Sequence, residues 1–337
     1  MKIVSYDAGG VPRGGLLIKD QVYDIRKGGE TIGFDLPATV LELLEMEAAG
    51  MESLKTLDQK IKRGLGVSSI QEARLLAPVP NPPSCRDAYA FRQHVATARR
   101  NRGVPMIDEF DQYPIFYFTN HNAIFGGGKV QIEADHEHKL DFELEVAAVI
   151  GKRGRNIPSQ DADQYIAGFT IMNDLSARLL QMEEMKLNLG PAKGKDFATT
   201  IGPWLVTPEE LAEYKVSTEF GATYSLGMQA FHNGKQISEG NMQDMTWTFA
   251  EIIERVSYGV DIYPGDVIGS GTVGSGCYLE LNGTAALAAK EAGESFTPTW
   301  LLPGDEITLS IDGLGVLTNT MVTGDPANSI LAKKKIS

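Results

Sequence analysis

Three carboxylates in the middle of the chain have the types and spacing of metal ligands. Asp141, Glu143 and Glu145 alternate with apolar residues, and an unbroken apolar run, Val146 to Ile150, follows them. On a strand the three side chains would share one face, each about 7 Å from the next. The apolar run predicts burial just downstream, and buried like charges need a partner. A hard cation such as Mg²⁺ or Ca²⁺ would supply it, so the segment predicts a metal site; an ordinary strand with a polar outer face is the alternative.

Two more acidic residues are candidates for the same site. Asp87 precedes His94 by seven residues, and on a helix this pair would lie on one face, two turns apart. Asp174 follows a predicted strand, Ile166 to Asn173, and precedes a predicted helix. A carboxylate suits the cap of that helix, which is the simplest interpretation of Asp174 taken alone.

Two glycine-containing segments could bind phosphate but fit no phosphate-binding motif. The loop from Leu189 to Thr200 carries Lys193 and Lys195, yet its spacing is not that of a Walker loop and no strand leads directly into it. The segment Gly269 to Gly274 follows a predicted strand, but no helical pattern follows it. This argues against a dinucleotide-binding fold.

The run Asp135-His136-Glu137-His138 could also bind a metal. An H-x-H pair on a strand binds zinc or iron in some β folds. No third ligand at suitable spacing accompanies the two histidines, so we expect a solvated turn instead.

The elements that must position these residues fall into two parts. The first 26 residues predict a hairpin around Lys19-Asp20, and residues 39–63 have helical apolar spacing. Residues 75–83 contain four prolines within six positions, which neither a helix nor a central strand tolerates. We therefore predict a small N-terminal β-plus-helix domain over residues 1–78 and a second domain over residues 79–337.

The second domain is predicted to be mainly β with inserted helices, an α+β fold. The predicted helices are Leu175 to Leu187 and Met245 to Val256. The predicted strands are Pro114 to Thr119, Asp141 to Gly151, Ile166 to Asn173, Trp204 to Thr207, Tyr224 to His232, Val267 to Ser270 and Glu306 to Ile311.

Composition limits the partners. With 31 basic and 44 acidic side chains the net charge is −13, which disfavours nucleic acid and anionic membranes as partners. The basic run Lys333 to Lys335 is expected to be a solvated tail. Cys85 and Cys277 lack metal or redox spacing and predict free thiols in a reducing compartment. The N-terminus has no apolar leader, and no stretch reaches the roughly 18 residues of a membrane span, so we expect a soluble cytoplasmic protein.

Taken together, these motifs resemble those of the fumarylacetoacetate hydrolase family. Four blocks occur in the family's order between residues 75 and 281, and together they are specific although each alone is weak. They are Asp87 to His94 (D-x6-H), Asp141 to Gly151 (D-x-E-x-E), Asn173 to Arg178 (N-D-x-S-A-R) and Gly190 to Thr200 (G-P-x-x-G-K-x-F-x-T-T).

The resemblance implies a catalytic domain with a mixed β-roll, a small N-terminal domain and a homodimer. It also implies a divalent metal, Mg²⁺, Mn²⁺ or Ca²⁺, with Asp141 outside the ligand set. The implied metal ligands are Asp87, Glu143, Glu145 and Asp174. His94 and Glu280 match the pair that activates water in the family's hydrolases. The implied substrate contacts are Tyr117, Arg178, Gln181, Lys195 and Thr272, with Thr199 as a further polar position.

Structural alternatives exist for several of these residues. Arg178 could pair with a surface acid, Tyr117 could belong to the core, and Glu280 could face solvent on a strand. The eukaryotic fumarylacetoacetases carry an arginine where this chain has Gly103, for which Arg99, Arg100 and Arg102 are possible substitutes. They also carry a tyrosine at a position to which Met185 lies nearest in this chain. Both departures concern the distal end of the substrate.

The expected activity is that of a hydrolase that cleaves a carbon-carbon bond in a fumarylacetoacetate-like or acylpyruvate diketo acid, as in aromatic compound and tyrosine catabolism. His94 would be the base, oriented by Glu280, and the metal would polarise the attacked carbonyl. The segment Val95 to Gly128 could form a lid that carries His94. The alternatives are a 2-oxo acid (oxaloacetate) decarboxylase, a tautomerase or a sugar-acid dehydratase on the same scaffold, or a binding protein whose cation only braces the core.

Overall fold

A computed structural model of the chain describes residues 1–325 and 327–331, so the lysine run at 333–335 lies outside it. Its helices are α1 Ile25–Ile32, α2 Val40–Glu45, α3 Glu47–Lys62, α4 Arg92–Asn101, α5 Ser159–Ala162, α6 Arg178–Glu184, α7 Phe249–Ser257 and α8 Tyr278–Ala292. Its strands are β1 Lys2–Asp7, β2 Pro12–Ile18, β3 Gln21–Asp24, β4 Cys85–Ala88, β5 Phe116–Thr119, β6 Ile124–Phe125, β7 Gly128–Ile132, β8 Leu140–Asp141, β9 Leu144–Ile150, β10 Gly154–Arg155, β11 Ile166–Asp174, β12 Ser176–Ala177, β13 Thr199–Val206, β14 Lys215–Thr218, β15 Gly221–Tyr224, β16 Gly227–His232, β17 Lys235–Asn241, β18 Asp261–Ile262, β19 Val267–Gly269, β20 Glu306–Ile311 and β21 Gly315–Thr323.

A ten-stranded sheet organises the molecule. Its order is β3-β2-β1-β13-β11-β9-β19-β4-β5, with β6 pairing alongside β13. Every residue of β9 and β11 is buried, as their apolar runs predict for strands covered on both faces. Alternate residues of β9 enter two different hydrophobic clusters, one with α7 and the other with α2 and α3.

The second large sheet has the order β17-β16-β20-β21-β7, and three two-stranded ribbons account for the remaining strands of residues 1–325 and 327–331. This is the α+β architecture expected from the sequence. In the described residues no helix is long and apolar enough to cross a membrane. Cys85 and Cys277 are both buried and free, as expected.

The N-terminal strands continue the large sheet. Lys2 and Ile3 of β1 pair with Val206 and Leu205 of β13, and the helices α1 to α3 cover the face of the sheet that β9 and β13 share. The predicted division of the chain at residue 78 stays a prediction.

Several local predictions are wrong. Asp87 lies on β4, where its backbone pairs with Gly269 and Tyr117, so Asp87 and His94 do not share a helix. The carboxylate segment is not one strand, because the chain breaks between β8 and β9. The helix α8 follows the glycine segment 269–274, where no helix was predicted.

The turn at Asp135 and His136 is buried rather than solvated. The His136 ring stacks on Phe197 with centroids 4.0 Å apart. The Asp135 carboxylate accepts hydrogen bonds from Ser329 Oγ and from the backbone N–H groups of Ile330 and Leu331. This turn therefore anchors the last described residues of the chain, a structural role that its polar sequence did not predict.

Candidate active site

Neighbouring strands of the large sheet bring the predicted metal ligands together. Asp87 is on β4, Glu145 is on β9 and Asp174 ends β11, while β19 lies between β4 and β9. Gly269 of β19 makes this approach possible, since a Cβ there would lie 2.5 Å from Asp87 Oδ1. The N–H of Gly271 donates to the same oxygen over 3.1 Å. Close approach to Asp87 therefore explains Gly269, whereas Gly271 has a φ of +78° and packs against the backbone oxygen of Ala88.

Three of the carboxylates form a compact oxygen cluster. One oxygen each of Asp87, Glu143 and Glu145 lies within 4.8 Å of the others. Glu145 is fully buried, and within the described part of the chain no donor reaches either of its oxygens. An unpartnered buried carboxylate is costly, and a hard divalent cation bound by oxygen ligands would compensate it. The residues therefore fit the metal that their motif implies.

Burial and mutual repulsion perturb the cluster. Burial, with the nearby Asp174 and Glu143 charges, raises the pKa of Asp87 to about 7. Burial and the charge of Asp87 likewise raise the pKa of Glu145 well above its ordinary value. Without a cation these groups hold protons at pH values where free carboxylates do not.

Lys195 supplies a cation at the edge of the cluster. Its Nζ donates to Glu143 Oε2 over 2.5 Å and to Asp174 Oδ2 over 2.8 Å, and Tyr117 Oη also donates to Asp174. Burial alone would lower the pKa of Lys195, but the charges of Asp174 and Glu143 raise it above its ordinary value. Burial alone would raise the pKa of Glu143, but Lys195 and Arg178 hold it at about 2. Both groups therefore stay charged.

Arg178 is a buried clamp rather than a surface residue. Its Nε donates to Asp141 Oδ2 and its Nη2 donates to Glu143 Oε1, both over 2.8 Å. Its Nη1 donates to Gln181 Oε1 over 3.0 Å. The guanidinium thus fixes Glu143 and the amide of Gln181 together.

His94 and Glu280 form a buried pair. His94 lies on α4 and Glu280 on α8, and His94 Nδ1 is 2.6 Å from Glu280 Oε2. An ionised carboxylate can only accept, so the proton is assigned to Nδ1 and the lone pair to Nε2. Asn101 Nδ2 donates to the backbone oxygen of Glu280 over 3.0 Å and joins the two helices. This arrangement makes His94 a competent general base.

One cavity of about 570 Å³ receives most of the predicted site residues. Those that line it are Asp87, His94, Tyr117, Glu143, Arg178, Gln181, Lys195 and Thr272. Glu145, Asp174 and Glu280 are buried and contact these lining residues from behind. Arg99 of α4 and Arg102, directly after α4, also line the cavity, so two of the three arginines considered in place of Gly103 reach it.

Sequence reasoning missed some of the residues that shape the site. Asn173 Oδ1 accepts the N–H of Glu143 over 3.0 Å. The aromatic rings of Tyr89 and Phe116 form part of the cavity wall. Asn173 belongs to the N-D-x-S-A-R block and could have been identified there, whereas Tyr89 and Phe116 have no local signal beyond being aromatic.

Comparison with known proteins gives consistent matches. The family model described as fumarylacetoacetate (FAA) hydrolase C-terminal matches residues 84–322. The mitochondrial oxaloacetate tautomerase FAHD2A of Bos taurus is 31% identical over 288 residues, 85% of this chain and 81% of that protein. The oxaloacetate tautomerase YisK of Bacillus subtilis is 28% identical over 320 residues, 90% of this chain and 94% of that protein.

A solved structure shows the same fold. The crystal structure of maleylpyruvate hydrolase from Sphingobium sp. SYK-6, in complex with manganese(II) and pyruvate, superposes with a TM-score of 0.66 at 21% identity. The superposition covers 96% of this chain and 100% of that chain.

Proposed function

Because the chain belongs to the fumarylacetoacetate hydrolase family, we propose that it is a divalent-metal-dependent enzyme that interconverts the enol and keto forms of a small 2-oxo dicarboxylic acid such as oxaloacetate. The observation that carries the proposal is that the His94–Glu280 pair and the carboxylate cluster meet at one cavity. Both curated relatives are named oxaloacetate tautomerases. This supports the alternative reaction over the hydrolase that the sequence motifs suggested first.

Asp87, Glu143, Glu145 and Asp174 would hold the metal. Bound there, a Mg²⁺ or Mn²⁺ ion would polarise the 2-oxo group and make the adjacent carbon more acidic. Four oxygen donors suit Mg²⁺, Mn²⁺ and Ca²⁺ alike, so the ion's identity is part of the proposal.

The protein's own groups can move the proton. His94 Nε2 accepts a proton from C3 of the keto acid while Glu280 stabilises the imidazolium that forms. The Lys195 ammonium stabilises the negative charge that develops on the 2-oxo oxygen, to which the proton then returns. No carbon-carbon bond breaks and no water adds, so the reverse sequence regenerates the keto form.

The distal carboxylate of the substrate has two candidate partners. Arg99 of α4, the helix that carries His94, and Arg102, the residue directly after this helix, both line the cavity. We assign them to this carboxylate because guanidinium groups bind carboxylates well. Binding of a dicarboxylate would then also hold His94 in place.

A diketo-acid hydrolase is the second candidate. The cavity of about 570 Å³ is larger than a four-carbon acid needs, and the same His94–Glu280 pair could activate water. The hydrolase breaks a carbon-carbon bond and the tautomerase does not, so this difference distinguishes the two candidates.

The test follows the ultraviolet absorbance of the enol of oxaloacetate as it converts to the keto form. We expect chelator-treated protein to be inactive, Mg²⁺ or Mn²⁺ to restore activity, and His94→Gln to lower kcat by about 10²- to 10⁴-fold. A blank with Mg²⁺ alone corrects for catalysis by the free ion. Thr39→Ala, which removes the solvent-exposed capping box at the start of α2, is the control for general destabilisation.

Fumarylpyruvate and acetylpyruvate are assayed in parallel for release of pyruvate. Cleavage of either one, without acceleration of oxaloacetate enolisation, would replace the tautomerase by the hydrolase. Formation of pyruvate from oxaloacetate would indicate a decarboxylase. The homodimer and the cytoplasmic location stay proposals, and light scattering tests the first.

A further inference from the structure

A second group of ligand-type side chains includes the His94–Glu280 pair and a buried cysteine. A ring nitrogen of His94, the Sγ of Cys277 and a carboxylate oxygen of Glu280 all lie within 4.8 Å of one another. All three side chains are buried, and Cys277 is the residue at the N-cap of α8, three positions before Glu280. The proposed proton transfer uses His94 and Glu280 but has no need of the thiol.

The spacing suits one small, borderline-soft ion. Zinc binds sulfur at about 2.3 Å and nitrogen or oxygen at about 2.0 to 2.2 Å, which places neighbouring ligand atoms about 3.5 Å apart. Side-chain shifts on the order of 1 Å bring atoms now within 4.8 Å to that spacing. The His94–Glu280 hydrogen bond of 2.6 Å would open to admit the ion.

Charge and ligand chemistry favour the same ion. A thiolate and a carboxylate together balance a doubly charged cation, and neutral imidazole is the usual third ligand. Burial raises the pKa of the Cys277 thiol, so binding would release its proton, as at other cysteine metal sites. Mg²⁺ and Ca²⁺ prefer oxygen ligands and would stay in the carboxylate cluster.

We propose that His94, Cys277 and Glu280 form a second cation site, selective for Zn²⁺ and similar thiophilic ions, and that its occupation removes the base from the reaction. The fourth coordination position would be left for water. The inhibitory consequence rests on the proposed function, whereas the binding itself does not.

Cobalt provides a direct probe of binding. The full-length protein is first saturated with Mg²⁺, which fills the oxygen cluster, and is then titrated with Co²⁺ without oxygen. We expect a thiolate-to-cobalt charge-transfer band in the near ultraviolet that saturates at one equivalent and disappears when Zn²⁺ is added. Absence of the band in the wild-type protein would overturn the proposal.

The second buried cysteine is the matched control. Cys85 lies on β4, two residues before Asp87. We expect Cys277→Ala and Cys277→Ser to lose the band and Cys85→Ala to keep it, with melting temperatures confirming that all three fold. A band that survives in both Cys277 variants, or that Cys85→Ala removes, would contradict the assignment.

Inhibition is measured separately, on the Mg²⁺-loaded enzyme. We expect the Zn²⁺ concentration that halves activity, measured against each protein's own uninhibited rate, to rise at least about tenfold in Cys277→Ala. Equal inhibition of both proteins would show that Zn²⁺ acts by displacing Mg²⁺ and would overturn the inhibitory role. If no tested acid is turned over, the cobalt band still decides whether the site exists.

Discussion

At the scale of single residues, Asp141 joins the two halves of the candidate site. Its Oδ1 accepts the N–H of Tyr278 over 2.7 Å, and its Oδ2 accepts the N–H of Leu279 over 2.9 Å. The same Oδ2 accepts Arg178 Nε. One buried carboxylate therefore fixes the start of α8, which carries Glu280, and the guanidinium that holds Glu143.

Asp141→Asn should disturb both halves. An amide has only one acceptor oxygen and no charge, so it cannot keep both helix N–H groups and the arginine bound, and each lost charged hydrogen bond costs about 1.5 to 3 kcal/mol. We expect a lower melting temperature and a kcat at least tenfold lower, measured by thermal melting and the enol assay.

The matched control is Asp135→Asn, which replaces another buried carboxylate that accepts three hydrogen bonds. Its partners are Ser329, Ile330 and Leu331 rather than residues of the site. It should lower the melting temperature without lowering kcat. Equal kcat losses in the two variants would refute a positioning role for Asp141.

The perturbed carboxylates predict how stability depends on pH without metal. An unfolded aspartate loses its proton near pH 4, but folded Asp87 keeps it until about pH 7. Between these values the folded state binds more protons, so the free energy of unfolding falls as pH rises. The stabilisation that results from the raised pKa of Asp87 is fully present below pH 4 and is lost above pH 7.

We therefore expect chelator-treated protein to melt at a lower temperature at pH 8 than at pH 5. Mg²⁺ should raise the melting temperature more at pH 8, since the ion replaces the protons. Glu145→Gln should weaken the pH dependence because it removes one of the repelling charges. A melting temperature that Mg²⁺ leaves unchanged at both pH values would exclude the site.

At the scale of elements, the packing of α4 on α8 sets the His94–Glu280 distance. Gly283 allows the helices to meet, since a Cβ there would lie 2.5 Å from Asn101 Nδ2 and 2.9 Å from Asn101 Cβ. On α8 this contact lies close to Glu280, whose backbone oxygen accepts a hydrogen bond from Asn101. Displacing α4 at this point would also displace His94, the proposed base.

Gly283→Ala should lower kcat while leaving stability nearly unchanged. Alanine favours the helix by about 1 kcal/mol, which offsets part of the clash with Asn101. The double variant Asn101→Gly/Gly283→Ala removes both clashing atoms, Asn101 Nδ2 and Asn101 Cβ, and should recover part of the lost activity. If the single variant has wild-type kcat, the spacing of the two helices does not control the reaction.

The sequence predicted these elements unevenly, for physical reasons. The buried strands β9 and β11 were found because continuous apolar runs carry their own signal. The helix α8 was missed because its buried residues, Tyr278, Glu280 and Asn282, recur every second position like those of a strand. Placing Glu280 against His94, 186 positions away, requires tertiary structure, and only the family motifs anticipated that pairing.

At the scale of the whole molecule, one sheet connects the N-terminal strands to the site. The order β1-β13-β11-β9 leads directly from Lys2–Asp7 to the strand that carries Glu145. A hydrophobic cluster contains Ile3 and Leu57 together with Ala147 and Val149. The N-terminal part therefore contributes core to the strands that hold the carboxylates.

Removing residues 1–78 should expose that core and the edge of β13. We expect the fragment 79–337 to aggregate or to melt well below the full chain, and to bind Mg²⁺ more weakly, as measured by thermal melting and calorimetry. An unchanged melting temperature would instead establish that the predicted domain boundary at residue 78 separates independent folding units.

If the carboxylates bind a metal as proposed, Lys195 would compete with it for Glu143 and Asp174. Its ammonium already bridges Glu143 and Asp174, so an arriving ion must displace a tethered cation of the protein itself. The measured affinity for Mg²⁺ is then the intrinsic affinity reduced by that exchange. Calorimetry should show that Lys195→Met binds Mg²⁺ more tightly than the wild type, although its kcat should be lower. The control is Lys193→Met, which removes an exposed ion pair with Asp196 and should bind Mg²⁺ as the wild type does. Lys195 would thus hold the carboxylates in position before a metal binds, and the metal would in turn bind with lower affinity.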